Sequence, residues 1–176
     1  GVSIAALLPM DAPETEWDRY HVVFATSGGD VRRNALSDFT NIMRNGKIAM
    51  RLPEGVSLIG VRLATDDDDI ILMTARGRAI RFRATDLRVF QSRSSTGVRG
   101  IRLGDDDSVV SMAVIRHFEA DPAERAAYLK MRRAVAGALD DGAEADEDEE
   151  TVEGTITQDR YAEMSAREDL ILTITA

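Results

Sequence analysis

Between residues 20 and 118 this chain carries 15 basic side chains, 14 of them arginine, against 11 acids. Arginine presents a planar fork that matches a phosphate in two hydrogen bonds, whereas lysine offers a point charge. Near-exclusive use of arginine therefore points to a polyanion as the group being recognised. The run Arg78-Ala-Ile-Arg-Phe-Arg83 alternates by two, which puts Ile80 and Phe82 on one face and Arg81 and Arg83 on the other. The loop Ser92-Arg-Ser-Ser-Thr-Gly-Val-Arg99-Gly joins hydroxyls, glycine and arginine. It can offer backbone N–H groups and guanidinium together, as contact with a nucleic-acid backbone requires. The chemistry indicated is binding. His21 and His117 lie outside any motif, no serine sits in a Gly-x-Ser-x-Gly elbow, and no Gly-x-x-x-x-Gly-Lys loop occurs. Tyr20, Tyr128 and Tyr161 have no neighbour that activates a phenol. The run Asp66–Asp69 lacks the glycine spacing of a calcium loop and reads as a solvated turn. With no cysteine, disulfides and thiolate metal sites are excluded, and no apolar run approaches a membrane span.

What positions these arginines is a repeat. Phe24-Ala-Thr-Ser-Gly-Gly-Asp-Val-Arg-Arg33 returns 48 residues later as Leu72-Met-Thr-Ala-Arg-Gly-Arg-Ala-Ile-Arg81. Thr26 aligns with Thr74, Gly29 with Gly77, Arg33 with Arg81 and Asp38 with Asp86. After a three-residue slip Gly46, Arg51-Leu52 and Leu58-Ile59 fall on Gly97, Arg102-Leu103 and Val109-Val110. Units of this length, each made of several short strands, indicate a propeller-like array. Residues 1–20 read as the end of a preceding unit and a connector in which Trp17 plugs a gap. Residues 21–69 and 70–115 read as two full units, and 169–176 as the first strand of another. In the first unit strands are expected at His21–Thr26, Val31–Asn34, Ile48–Leu52 and Ser57–Leu63, with tight turns at Gly28-Gly29 and Arg44-Asn-Gly-Lys47. The chain reads as a slice of a larger ring.

Residues 116–168 break the pattern. Asp121-Pro-Ala-Glu124 has the cap, first-turn proline and third-position glutamate of a helix start, which predicts a helix over about 121–139. Residues 140–150 then hold eight acids in eleven positions, too charged to fold alone, so a disordered tract is expected over about 140–153. Order is expected to resume around Tyr161–Met164. The net charge of −9 thus hides a body at +4 and a remainder at −13, a basic binder beside an acidic arm.

The succession Leu7-Leu8-Pro9, Phe24-Ala-Thr, Gly29-x-Val31-Arg-Arg33, Leu58-Ile-Gly-Val61, Ile80-Arg-Phe82 and Gly97-Val-Arg-Gly-Ile-Arg-Leu103 resembles the C-terminal domain of the DNA gyrase A protein. The resemblance covers roughly 1–115 and 169–176. It implies a mainly β fold, a β-pinwheel of four-stranded antiparallel blades in which neighbours exchange a strand, here interrupted by the helical and acidic insertion. It implies a non-catalytic module whose basic rim wraps duplex DNA, in the cytoplasm on the bacterial chromosome, within an A2B2 assembly. ATP and Mg would be bound on other domains of that enzyme, and no cofactor is expected here. The rim candidates are Arg32, Arg33, Arg44, Lys47, Arg51, Arg76, Arg78, Arg81, Arg83, Arg99 and Arg102, acting on phosphates with little base readout. Arg32 is the odd member, since it aligns with Ile80. Two departures stand out: the family's Gln-Arg-Arg-Gly-Gly-Lys-Gly box is reduced here to Met43-Arg-Asn-Gly-Lys47, and the insertion has no counterpart. The A-type subunit of topoisomerase IV, with a related pinwheel, is the nearest alternative, and a protein-interaction propeller is the alternative from another class.

Overall fold

The computed structural model describes residue 8 and residues 13–40, 48–91, 95–137, 156–170 and 172. Arg44, Lys47, the acidic tract at 140–153 and most of residues 1–12 and 169–176 lie outside them. The chain divides into two compact units, residues 1–117 and 118–176.

The first unit is built of two antiparallel sheets. In one, β1 (His21–Thr26) lies between β2 (Asp30–Ala35) and β3 (Leu58–Ala64). In the other, β4 (Asp68–Thr74) lies between β5 (Ala79–Arg83) and a strand at Val109–Arg116. The remaining strand, β6 (Val98–Arg99), comes from the second repeat but pairs with β2, at Asp30↔Arg99 and Val31↔Val98. The strand at Val109–Arg116 is therefore β7. Each sheet thus has the order outer, central, outer, and the first gains its fourth strand from the unit that follows it in sequence.

The two hairpins repeat because their turn chemistry repeats. Gly29 and Gly77 sit at φ +87° and +77°, a region open to glycine. The Gly29 amide donates to Thr26 O at 3.0 Å and the Gly77 amide to Thr74 O at 3.1 Å. The threonine hydroxyls then accept from the amides of Asp30 (3.1 Å) and Arg78 (3.2 Å). Both threonines lie at a break in register against the third strand, and both are buried. The expected strand at 48–52 does not form, and the outer edge of β2 is taken instead by β6.

Burial follows the strand period. Val23, Ala25 and Val31 from the first sheet meet Ile70, Leu72, Val109 and Met112 from the second in the main core. The other face of the first sheet buries Val22, Phe24 and Leu36, with Trp17, Tyr20 and Phe39 packed on them. Trp17 thus fills space against this face. The run of four aspartates is only half a solvated turn. Asp66 and Asp67 are exposed, Asp68 accepts from the amide and hydroxyl of Thr65, and Asp69 is buried within β4.

The second unit is helical. Helix α1 spans Pro122–Gly137, and α2 spans Gln158–Ala166. Asp121 and Glu124 form a reciprocal cap: Asp121 Oδ1 accepts from the Glu124 amide at 2.8 Å, and Glu124 Oε2 from the Asp121 amide at 3.1 Å. Between the helices Tyr128 stacks on Tyr161 at 5.2 Å, and the Tyr128 hydroxyl donates to Glu168. Arg160 joins Glu124, Glu163 and the carbonyl of Glu119 while lying over the Phe118 ring. Hydrogen bonds and charge from Arg160 and the Asp121 amide hold the Glu124 carboxyl below the usual range.

Candidate nucleic-acid interface

A side chain that neutralises a phosphate must reach solvent with its guanidinium uncommitted to the fold. The eleven candidates divide on that requirement. Arg32 fails it. Its register position opposite Phe24 aims it into the face that holds Phe24 and Leu36, and it is fully buried. Its Nε donates to Asn34 Oδ1 at 2.7 Å, its Nη1 to Ser95 O at 2.6 Å, and its guanidinium lies 5.1 Å over the Phe90 ring. Val89 and Phe90 on one side and Val98 and Arg99 on the other pair with β2, and Arg32 holds Ser95 between them. The position is interior in the first repeat alone: the aligned Ile80, expected on the buried face of its strand, is 36% exposed on β5.

Arg33 is also buried, on the opposite face. Its Nη1 donates to Asp66 Oδ1 at 3.0 Å and to Ala84 O at 2.9 Å. Both arginines therefore leave the set of phosphate contacts, because each is committed to the protein's own acceptors. Arg81 is intermediate. Its Nε and Nη2 both reach Asp69 Oδ2, at 2.7 and 2.6 Å, and that carboxylate is buried while the arginine side chain is 43% exposed.

Arg51, Arg76, Arg78, Arg83, Arg99 and Arg102 are exposed. Four of these share one end of the unit. Gly100 and Ile101 donate to Gly29 O, Val109 to Ser27 O, Ala75 to Ser108 O, and the Arg76 amide to Asp107 Oδ1. That string of bonds ties the turn at 27–29, the segment 100–109 and the turn at 75–78 together. It brings Arg76, Arg78, Arg99 and Arg102 to the same end. Arg83, opposite Asp69 at the start of β4, belongs to the other end of the hairpin. Asp107 serves the turn itself. Slight desolvation pushes its carboxyl up, but hydrogen bonds from Thr74 and from the amides of Arg76 and Ser108, with the Arg76 charge, hold it below the usual range.

Two further exposed arginines belong with these and escaped the sequence reading. Arg62 projects from β3 between Val61 and Leu63, and Arg88 lies 4.2 Å over the Phe90 ring. For Arg62 the strand alternation was the available signal. Among the described residues no group of three or more histidines, cysteines or acids is placed to hold a metal ion, and no helix is long and apolar enough to cross a membrane.

A family model described as the DNA gyrase C-terminal domain, β-propeller, matches residues 20–65 and 68–116. The DNA gyrase A protein of Granulibacter bethesdensis is 46% identical over 183 aligned positions, covering 98% of this chain and 20% of that protein. The chain thus spans about a fifth of the length of the curated relatives it matches. Among solved structures, a DNA gyrase A C-terminal domain superposes at TM-score 0.50 with 23% identity, covering 56% of this chain and 32% of that one. The C-terminal domain of a DNA topoisomerase IV does so at TM-score 0.53 with 21% identity, covering 56% and 31%.

Proposed function

The chain belongs to the DNA gyrase C-terminal domain family, and on that premise we propose that it is a blade-bearing segment that binds and wraps duplex DNA for a gyrase-type topoisomerase. The observation that carries this reading is the end formed by Arg76, Arg78, Arg99 and Arg102, exposed guanidiniums on a scaffold of hydrogen-bonded turns. Such a surface neutralises phosphates and releases counterions without reading bases. Arg51, Arg83, Arg62 and Arg88 extend it, and Arg44 and Lys47 remain in the proposal on their sequence alone. The segment supplies no catalytic group in this reading. ATP-driven supercoiling, with Mg, belongs to other domains of an A2B2 enzyme working in the bacterial cytoplasm. The likeness to the topoisomerase IV domain is one of fold.

The test is the salt dependence of duplex binding by the intact gyrase A protein. Log K should fall steeply and linearly between about 50 and 200 mM salt, and hardly change with base sequence. Replacing Arg99 and Arg102 by Ala should flatten that slope by roughly 1 for each lost phosphate contact, with unchanged thermal stability because both side chains are exposed. Replacing Arg32 instead should alter folding. An unchanged slope in the Arg99/Arg102 variant removes this end from the interface.

A further inference from the structure

The repeat that aligns Arg33 with Arg81 also aligns His21 with Asp69 and, past the three-residue slip, Asp66 with His117. The strand registers agree. His21 lies opposite Ala35 and Ala64 in one sheet, and Asp69 lies opposite Arg83 and Ile115, the equivalent positions, in the other. In both sheets these three positions converge on one corner. In the first, Asp66 Oδ1 is 3.0 Å from Arg33 Nη1 and 3.9 Å from His21 Nδ1. In the second, Asp69 receives Arg81 at 2.6 Å on Oδ2 and His117 Nδ1 at 2.8 Å on Oδ1. The same three chemical groups meet, with imidazole and carboxylate having traded places.

We infer that each sheet is closed at this corner by an imidazole–carboxylate–guanidinium clasp, and that the exchange of His and Asp makes the first clasp open in acid while the second holds. In the first clasp the inner position is the imidazole. The His21 side chain is 13% exposed and the Asp66 side chain 64%, so a proton on His21 makes a poorly solvated cation beside the buried Arg33, with an outlying carboxylate as its counter-charge. Neither His21 Nδ1 nor Arg33 Nε has a hydrogen-bond partner among the described residues, so this corner has little to stabilise the added charge. Burial and the Arg33 charge, against the pull of Asp66, hold the ring below its ordinary 6.5. The folded state then binds fewer protons than the unfolded one, so the clasp's contribution is complete above about pH 6.5 and is lost as pH falls below it.

In the second clasp the inner position is the carboxylate. Asp69 faces Arg81 from β5 and His117 after β7, with Arg83 opposite it in register and the neighbouring Asp68 held by Arg116. A proton on His117 gives that buried carboxylate a second cation, so this corner tightens where the first loosens. The difference has a structural consequence. Arg33 also donates to Ala84 O, just beyond β5, so the acid-sensitive clasp is the one that ties the two sheets to each other. The inference stands on packing alone and is independent of DNA binding.

The experiment uses this chain, whose two histidines are its only side chains with an ordinary pKa between pH 7.5 and 5.5. Its unfolding midpoint should drop between those pH values by roughly 2–4 °C beyond the drop left in His21→Gln. The exchange pair His21→Asp with Asp66→His should keep the midpoint at pH 7.5 better than either single change and lose the acid response. The opposite exchange, Asp69→His with His117→Asp, should double the acid response by giving both sheets the first arrangement. An acid response as large in His21→Gln as in the unaltered chain overturns the inference. So does an exchange pair no more stable than the worse of its single changes, and so does failure of both exchange pairs to fold.

Discussion

Arg81→Ala is expected to destabilise the domain by about 2–3 kcal/mol, whereas Arg83→Ala, two residues along the same strand, should cost under about 0.5 kcal/mol. The two look alike in sequence, and both read there as phosphate ligands. They differ in what each leaves behind. Arg81 carries both of its short contacts to Asp69, whose side chain is 3% exposed, so removing it strands a buried carboxylate on His117 alone. Breaking a buried pair from one side costs about 3–5 kcal/mol when both partners are dry, and the partial exposure of Arg81 lowers that figure. Arg83 is exposed, and its backbone amide, which alanine keeps, makes the bond to Asp86. Urea titrations of the two variants provide the measurement, with the midpoint falling in the first and the slope unchanged in both. Equal midpoints would mean that Asp69 does not depend on Arg81.

The second large effect is expected at Gly97, where alanine should cost at least about 3 kcal/mol and release β6 from the first sheet. Its φ of +103° lies where an L side chain is strained by about 1–3 kcal/mol. A Cβ there would also stand 2.3 Å from Val31 O, a backbone atom that cannot move without breaking the pairing it serves. Gly77 is the control. It has a similar φ of +77° and nothing within 4 Å of the added carbon, so alanine should cost only about 1–2 kcal/mol. Hydrogen exchange at the amides of β2 separates the two cases: it should speed up in the Gly97 variant and stay slow in the Gly77 variant.

What the sequence made legible is what local chemistry decides. Thr26 and Thr74 with Gly29 and Gly77 announce the same turn twice because a three-residue hairpin loop needs little beyond those residue types. Asp121 and Glu124 announce a helix for the same reason. Pairing decided over long distance was not legible. Nothing in Ile48–Leu52 says that the edge it would need is taken by Val98–Arg99. Arg32 read as a phosphate ligand from its type, and only Asn34, Ser95 and Phe90, brought to it by the fold, make it an interior residue. Its alignment with an apolar Ile80 was no guide to that burial, because Ile80 is itself exposed. Asp69 was hidden in the same way among four aspartates, and its distinction appears once the equivalent His21 is seen to be an inner residue too.

The loan of β6 to the first sheet also sets an order of events in time. Val31 and its partner Val98 are 67 positions apart, so the edge of β2 stays unpaired while the intervening chain is made. At roughly 5–20 residues per second, synthesis leaves that edge waiting for about 3–13 s. During that interval β2 presents bare N–H and C=O groups to any other strand nearby, the condition under which chains pair wrongly. Arg32 and Asn34 then have a second value. A strand that carries a guanidinium and an amide is a poor template for foreign apolar strands, and the carbonyls that receive the two groups come with the chain's own Ser95 and Phe90. The polar interior of this sheet is thus a lock that only the chain's own late segment fits.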